Sequence, residues 1–288
     1  MPQRGRWSGV MMGDAASRRG RGGDLFAESF KASPYWADDL APLPVCTQDL
    51  PPRADVVVVG SGYTGLNAAL ELARGGRHTV VIDAGDPGAG CSTRNGGQVH
   101  CSIDPGRNSV LDRLGPARAY EVLSEGPASV DWLAHLIERE GITCDFARVG
   151  SFHAAHTPRH FEALARSIES GTDPGSRPAT LVPPEEMSRE IGTDAYFGGV
   201  VHPQDGSLHP GRYHRGLLER SLSTGAVVVP NCAATAFRRE GAGFEIETDR
   251  GRISCRDVAV ATNGYTTRST PWMRRRVIPI GSYIIATE

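Results

Sequence analysis

Three glycines in the run Gly60-Ser61-Gly62-Tyr63-Thr64-Gly65 have the G-x-G-x-x-G spacing of a pyrophosphate cradle. The context strengthens the motif. The β-branched run 56–59 precedes it, apolar residues at helical spacing follow it, and Asp83 closes the next apolar run 18 residues after Gly65. In such a turn Gly60 allows the tight bend, Gly62 lets backbone approach phosphate, and Gly65 lets helix pack on strand. The helix N-terminus adds unpaired N–H groups and a positive dipole end. Asp83, with Ala84 beside it, is placed to accept from both ribose hydroxyls of an adenosine and disfavours a 2′-phosphate. The plainer alternative is a glycine turn of an α/β fold with no ligand. The motif does not choose between nicotinamide and flavin dinucleotides.

The loop Ser92-Thr93-Arg94-Asn95-Gly96-Gly97-Gln98 after Cys91 makes that choice, and a less specific piece, Ala261-Thr262-Asn263-Gly264-Tyr265-Thr266, goes with it. With residues 56–66 they give the chain its resemblance to FAD-dependent amine and amino-acid oxidoreductases of the D-amino-acid oxidase superfamily, in its gamma-glutamylputrescine oxidoreductase-like branch. The resemblance runs from about residue 33 to the end. It implies FAD as cofactor. Ser92, Thr93 and Arg94 are expected on the phosphate side, and Asn95, Gly96, Gly97 and Gln98 approach the isoalloxazine through backbone N–H groups. Ala234 is expected beside the adenine. Ala261, Thr262 and Gly264 form a small-residue strand end close to the cofactor. The implied reaction oxidises a carbon–nitrogen bond of a small amine or amino acid by hydride transfer to flavin, with O₂ as acceptor. A dehydrogenase with another acceptor, or a non-catalytic flavoprotein fragment, are the alternatives.

No side chain stands out as a general base, so the catalytic residues stay unassigned; such an oxidation needs only a neutral amine held in line. His202, Asp205 and His209 fit no standard zinc spacing, and no metal is expected. His153 and His156 read as solvated or core histidines, and Arg274-Arg275-Arg276 as a solvated turn.

The elements that must position these residues follow the same pattern. Strand 55–60, helix 64–74 and strand 79–83 form a βαβ unit, which places the fold in the α/β class with a parallel, Rossmann-like (glutathione-reductase-type) sheet. Residues 85–101 read as a long functional loop. Helices are expected over 107–115, 117–140, 159–169, 184–191 and 211–222, and strands over 148–156, 196–201 and 226–229. A meander covers 233–239, 243–248 and 252–254, then a separate buried strand 257–261, and another strand begins at 277. Residues 33–104 and 200–264 are assigned to FAD binding, and 105–199 and 265–288 to a discontinuous α+β substrate domain. Relative to the family that second domain reads as incomplete, and the chain as truncated at its C-terminus.

Composition sets the outer limits. Of 288 residues 39% are hydrophobic and 35 more are glycine, enough for a sizeable core. A net charge of −2 gives nucleic acid no basic partner. No apolar run approaches the roughly 18 residues of a membrane span. There is one lysine, Lys31, against 30 arginines, so Schiff-base chemistry has a single candidate. Six cysteines without a C-x-x-C pair fit a reducing compartment, hence a cytoplasmic location. Residues 1–32, rich in Arg, Gly and Ser, read as a disordered tail. Oligomeric state is left open.

Overall fold

The computed structural model describes residues 33–38, 40, 46, 49–103, 107–169, 178–282 and 284; the tail 1–32 lies outside them. In chain order the elements are β1 (Arg53–Val59), α1 (Tyr63–Arg74), β2 (Thr79–Ile82), β3 (Gln98–Val99), α2 (Arg107–Glu140), β4 (Ser151–Ala154), α3 (Pro158–Glu169), β5 (Thr180–Val182), α4 (Ser188–Ile191), β6 (Gly199–His202), β7 (Gly206–Ser207), α5 (Pro210–Ser223), β8 (Val227–Val229), β9 (Ala234–Glu240), β10 (Gly243–Thr248), β11 (Gly251–Val260) and α6 (Pro271–Arg274). They divide into two units. One runs up to Asn95 and resumes at Leu217; the other is Gly96–Gly216.

The first unit is built on a six-stranded sheet of order β8-β2-β1-β11-β10-β9. Its first four strands are parallel, with Val57 opposite Val80 on one side and Val258 on the other. The last two join antiparallel. Val56, Val57, Val58 and Val59 are all buried, as a central parallel strand covered on both faces requires. Helix α1 buries Gly65, Leu66, Ala69 and Leu70 on one stripe. The Ser221 hydroxyl at the end of α5 donates to the Leu66 carbonyl. This is the expected mixed α/β architecture with a parallel sheet.

The structure merges two expected strands. Residues 252–254 and 257–260 belong to the single ten-residue β11, in which 251–255 pair with β10 and 254–260 pair with β1. The exposed charges Arg256 and Asp257 interrupt the apolar pattern without interrupting the ladder. Residues 277–282 form no ladder, and Ile278 and Ile280 remain exposed.

The second unit holds an antiparallel sheet of order β4-β6-β5 and the small pair β3-β7. Helix α2 is interrupted at Gly115 (φ 72°, ψ 167°), just before Pro116, at the boundary read between 107–115 and 117–140. The stretch 184–191 is a 3₁₀ turn (Pro184–Glu186) followed by the four-residue α4 rather than one helix. Only Met187 there is buried, too little apolar surface to hold a longer helix in place.

Candidate dinucleotide site

In the first unit β1 delivers the chain to Gly60, whose φ of 107° only glycine adopts readily. A Cβ there would also lie 2.6 Å from the Ala261 carbonyl oxygen. Gly65 is tighter: its Cβ would fall 1.8 Å from the Gly60 oxygen. Both glycines are therefore demanded by the protein's own packing. At Gly62 a Cβ would meet only the Ser92 hydroxyl, at 2.8 Å.

That hydroxyl accepts the N–H of Tyr63, the first residue of α1, at 3.1 Å. The N–H groups of Thr64 and Gly65 have no acceptor within the helix. The mouth of α1 thus gathers backbone donors, a hydroxyl and the positive dipole end, a donor set suited to an anion.

The Asp83 carboxylate lies against the same turn. Its Oδ2 accepts the Ser61 N–H (2.7 Å) and hydroxyl (2.6 Å), and its Oδ1 accepts the Gly85 N–H (3.0 Å). A carboxylate has about four lone-pair sites, so three are used within the protein and capacity remains for a hydroxyl donor. Ala84 is exposed beside it. The Cys232 N–H donates to the Asp83 carbonyl at 2.6 Å, and Ala234 starts β9 two residues on.

The third motif closes on the first. Ala261 donates its N–H to the Val59 carbonyl, and the Tyr265 N–H reaches the Thr262 carbonyl. Gly264 has room for a Cβ at ordinary contact distance, 3.8 Å from Pro279. The Tyr265 ring lies against Gly90, and its hydroxyl meets Cys91 Sγ at 3.4 Å. That contact, with burial, pushes the Tyr265 phenol up. Sequence reasoning missed Tyr265 as a link between the motifs.

The loop is tied to itself by the side chains assigned to phosphate. Thr93 donates its hydroxyl to the Gly88 carbonyl (2.6 Å) and Arg94 Nε to the Ala89 carbonyl (3.0 Å). Asn95 Nδ2 bridges the Cys91 and Ser92 carbonyls, while Trp36 Nε1 holds the Asn95 carbonyl at 2.7 Å. Trp36 lies ahead of β1 in the chain.

Gly96, Gly97 and Gln98 belong to the second unit. Gly97 has φ 72°, and a Cβ would sit 2.2 Å from the Leu208 oxygen, so packing alone requires glycine. Gly96 has open space around it, and Gln98 pairs with Ser207.

His202, Asp205 and His209 do not converge. His209 Nδ1 accepts the Arg212 N–H at the start of α5. Asp205, fully buried, accepts from the Cys101 N–H (2.9 Å), the Ser151 hydroxyl (2.6 Å) and His100 Nδ1 (2.9 Å). Among the described residues no three His, Cys, Asp or Glu side chains group as a metal ion requires. His100 and Ser151 were not singled out in the sequence, although Ser151 and His153 alternate on one strand face.

Residues 55–288 match the FAD dependent oxidoreductase (DAO) family, and the chain belongs to that family. It is 28% identical over 253 residues to gamma-glutamylputrescine oxidoreductase of Escherichia coli, covering 88% of this chain and 58% of that protein. It is 28% identical over 240 residues to the probable oxidoreductase OrdL of Haemophilus influenzae, covering 82% of this chain and 56% of that one. The chain therefore spans little more than half the length of these relatives. The crystal structure of glycine oxidase from Geobacillus kaustophilus has the same fold, with a TM-score of 0.63 at 22% identity, covering 78% of this chain and 59% of that one.

Proposed function

We propose that this protein binds FAD and serves the oxidation of a carbon–nitrogen bond in a small amine or amino acid, with O₂ as electron acceptor. The observation that carries the reading is the mouth of α1. Gly62, Thr64 and Gly65 present backbone donors, while the Gly60 and Ser61 N–H groups are held by the Ile82 carbonyl and by Asp83, which lies hydrogen-bonded across the turn with acceptor capacity to spare. Membership of an FAD-dependent family supports FAD over a nicotinamide dinucleotide. The names gamma-glutamylputrescine oxidoreductase and glycine oxidase among its relatives support an amine or amino-acid substrate.

In this reading Asp83 takes the ribose hydroxyls and Ala234 lies beside the adenine. Ser92 moves its hydroxyl from the Tyr63 N–H to a phosphate oxygen. Arg94 supplies positive charge on the phosphate side, and Thr93 acts by holding the loop. Asn95, Gly96, Gly97 and Gln98 offer backbone to the ring system, and Ala261, Thr262 and Gly264 allow close approach at the other strand end. When bound, FAD supplies a two-electron acceptor that no side chain of the chain provides.

Titrating the purified chain with FAD, followed by flavin fluorescence and visible absorbance, tests the cofactor. Saturable binding with one FAD per chain is expected, and NAD in its place giving the tighter binding overturns the assignment. Amines and amino acids are then supplied aerobically, with peroxide measured, and anaerobically with a dye. Turnover only with the dye refutes O₂ as acceptor.

A further inference from the structure

The turn that carries Ser92 is held from outside itself. Residues Cys91–Thr93 form a single 3₁₀ turn, closed by the Arg94 N–H on the Cys91 carbonyl at 3.1 Å. Hydrogen-bond geometry in such turns is poor. Two distant segments of the same unit grip its ends. Tyr265, 174 residues after Cys91, lays its ring on Gly90 and its hydroxyl on Cys91 Sγ. Trp36, 59 residues before Asn95, donates its indole N–H to the Asn95 carbonyl at 2.7 Å.

Trp36 is itself placed. It is the middle residue of a 3₁₀ turn, Tyr35–Ala37, that follows Pro34, and Tyr35 packs edge-on against its ring at 5.4 Å. Trp36 is half-buried, and its turn contributes no fully buried residue. The contact with Asn95 is therefore not a by-product of core packing.

The bond acts on more than one atom. A trans peptide is planar, so its carbonyl and the following N–H point in opposite directions. Holding the Asn95 oxygen also sets the direction of the Gly96 N–H, where open space surrounds Gly96 and no side chain fixes the plane. In the other direction, Asn95 Nδ2 donates to the Cys91 and Ser92 carbonyls at 3.1 Å each. An Asn95 held by Trp36 thus holds the turn, and with it the Ser92 hydroxyl on the Tyr63 N–H at the mouth of α1.

We propose that Trp36 is a positioning residue for the flavin dinucleotide, a clasp ahead of β1 that sets the 91–95 turn for the phosphate-to-ring half of the ligand. This rests on the FAD reading. The adenosine half is served from elsewhere: the Asp83 carboxylate takes its hydrogen bonds from Ser61 and Gly85, not from the turn. Coupling between two binding events is reciprocal. A clasp that favours FAD is favoured by FAD in the same proportion.

The chain has four tryptophans, few enough to follow by the NMR signals of their indole N–H groups, and Trp36→Phe assigns one by its loss. Phe keeps an aromatic ring and removes the donor. The full 288-residue chain and the variant are titrated with FAD by flavin fluorescence and with adenosine by saturation-transfer NMR. Circular dichroism and the denaturant midpoint report the fold. Trp36→Phe is expected to weaken FAD binding about three- to tenfold, the effect of one neutral hydrogen bond. Adenosine affinity and the midpoint are expected to stay unchanged, which a general loss of structure would not allow. In the unsubstituted chain, saturating FAD is expected to slow hydrogen exchange of the Trp36 indole N–H by a similar factor, a measurement that needs no variant. Equal FAD affinity in the variant, an equal loss for adenosine, or an unchanged exchange rate overturns the proposal. An unsubstituted chain that takes up no FAD sinks the cofactor assignment together with it, whereas FAD uptake indifferent to Trp36 sinks this inference alone.

Discussion

At the level of single residues, the glycines of the first motif separate into two kinds. Gly65 is closed off by the Gly60 carbonyl at 1.8 Å from a would-be Cβ, whereas Gly62 faces only the end of a rotatable serine side chain. Gly65→Ala is therefore expected to destabilise the fold by about 1–3 kcal/mol through overpacking, read as a lower denaturant midpoint. Gly62→Ala should leave that midpoint nearly unchanged while weakening FAD binding, because the added methyl stands where the backbone must approach the phosphates. Equal midpoints for both variants would mean the turn relaxes more than its packing suggests. Asp83 carries two duties. Asp83→Ala removes an acceptor from the Ser61 N–H, the Ser61 hydroxyl and the Gly85 N–H. Both thermal stability and FAD affinity should fall, each by about 1.5–3 kcal/mol, and Asp83→Asn, which keeps one acceptor oxygen, should restore part of the stability. Asp83 was legible in the sequence because it ends an apolar run at a set distance from a glycine motif. Its protein partners were not, since no pattern marks which backbone N–H a carboxylate will find. Asp205 was less legible still: its partners His100 and Cys101 lie 105 and 104 residues away, and only the folded sheet brings them together.

Elements were legible where local rules govern them. The break in α2 fell where a Gly-Pro pair predicts it, and the structure explains why Gly115 is needed. Its φ of 72° and ψ of 167° lie in a region nearly reserved for glycine, although space for a side chain is open. Gly115→Ala should cost about 1–3 kcal/mol by strain alone, seen as a lower melting temperature with no change in the packing of buried residues. An unchanged melting temperature would show that α2 straightens at little cost. Local rules failed at β11. Arg256 and Asp257 look like a turn in one dimension, but both are exposed and lie just past the last β10 pairing at Cys255, while the β1 ladder carries the strand on through Asp257. A strand with two partners is specified by both of them, and neither is visible in its own ten residues.

For the whole molecule the cysteines report on the core. All six are free thiols, and Cys91 is exposed while Cys101, Cys144, Cys232 and Cys255 are buried. Burial pushes the Cys144, Cys232 and Cys255 thiols up. When a folded-state pKa lies above the unfolded one, the unfolded chain releases its proton first as pH rises. The stability these thiols contribute is thus intact below the ordinary thiol value of about 8.5 and is lost as pH climbs through the folded values. The denaturant midpoint should therefore fall at alkaline pH, and Cys232→Ala combined with Cys255→Ala should flatten that fall. A thiol reagent at neutral pH should label Cys91 ahead of the four buried cysteines, and simultaneous labelling would show that the core opens readily. No helix among the described residues is long and apolar enough to cross a membrane.

The placing of β11 beside β1 also sets an order of events during synthesis. β1 ends at Val59 and β11 begins at Gly251, with the whole of Gly96–Gly216 between them. A chain leaving the ribosome exposes β1 early and must carry one side of it without its partner until β11 emerges. The intervening unit is contiguous, so its contacts close over shorter loops and form first. A stalled nascent chain ending just before Gly251 should resist protease across Gly96–Gly216 while remaining cleavable within β1 to β2. Lengthening the stalled chain until Val260 has left the ribosome should extend protection to that segment, and chaperones that bind open strand edges should be needed most in the interval between.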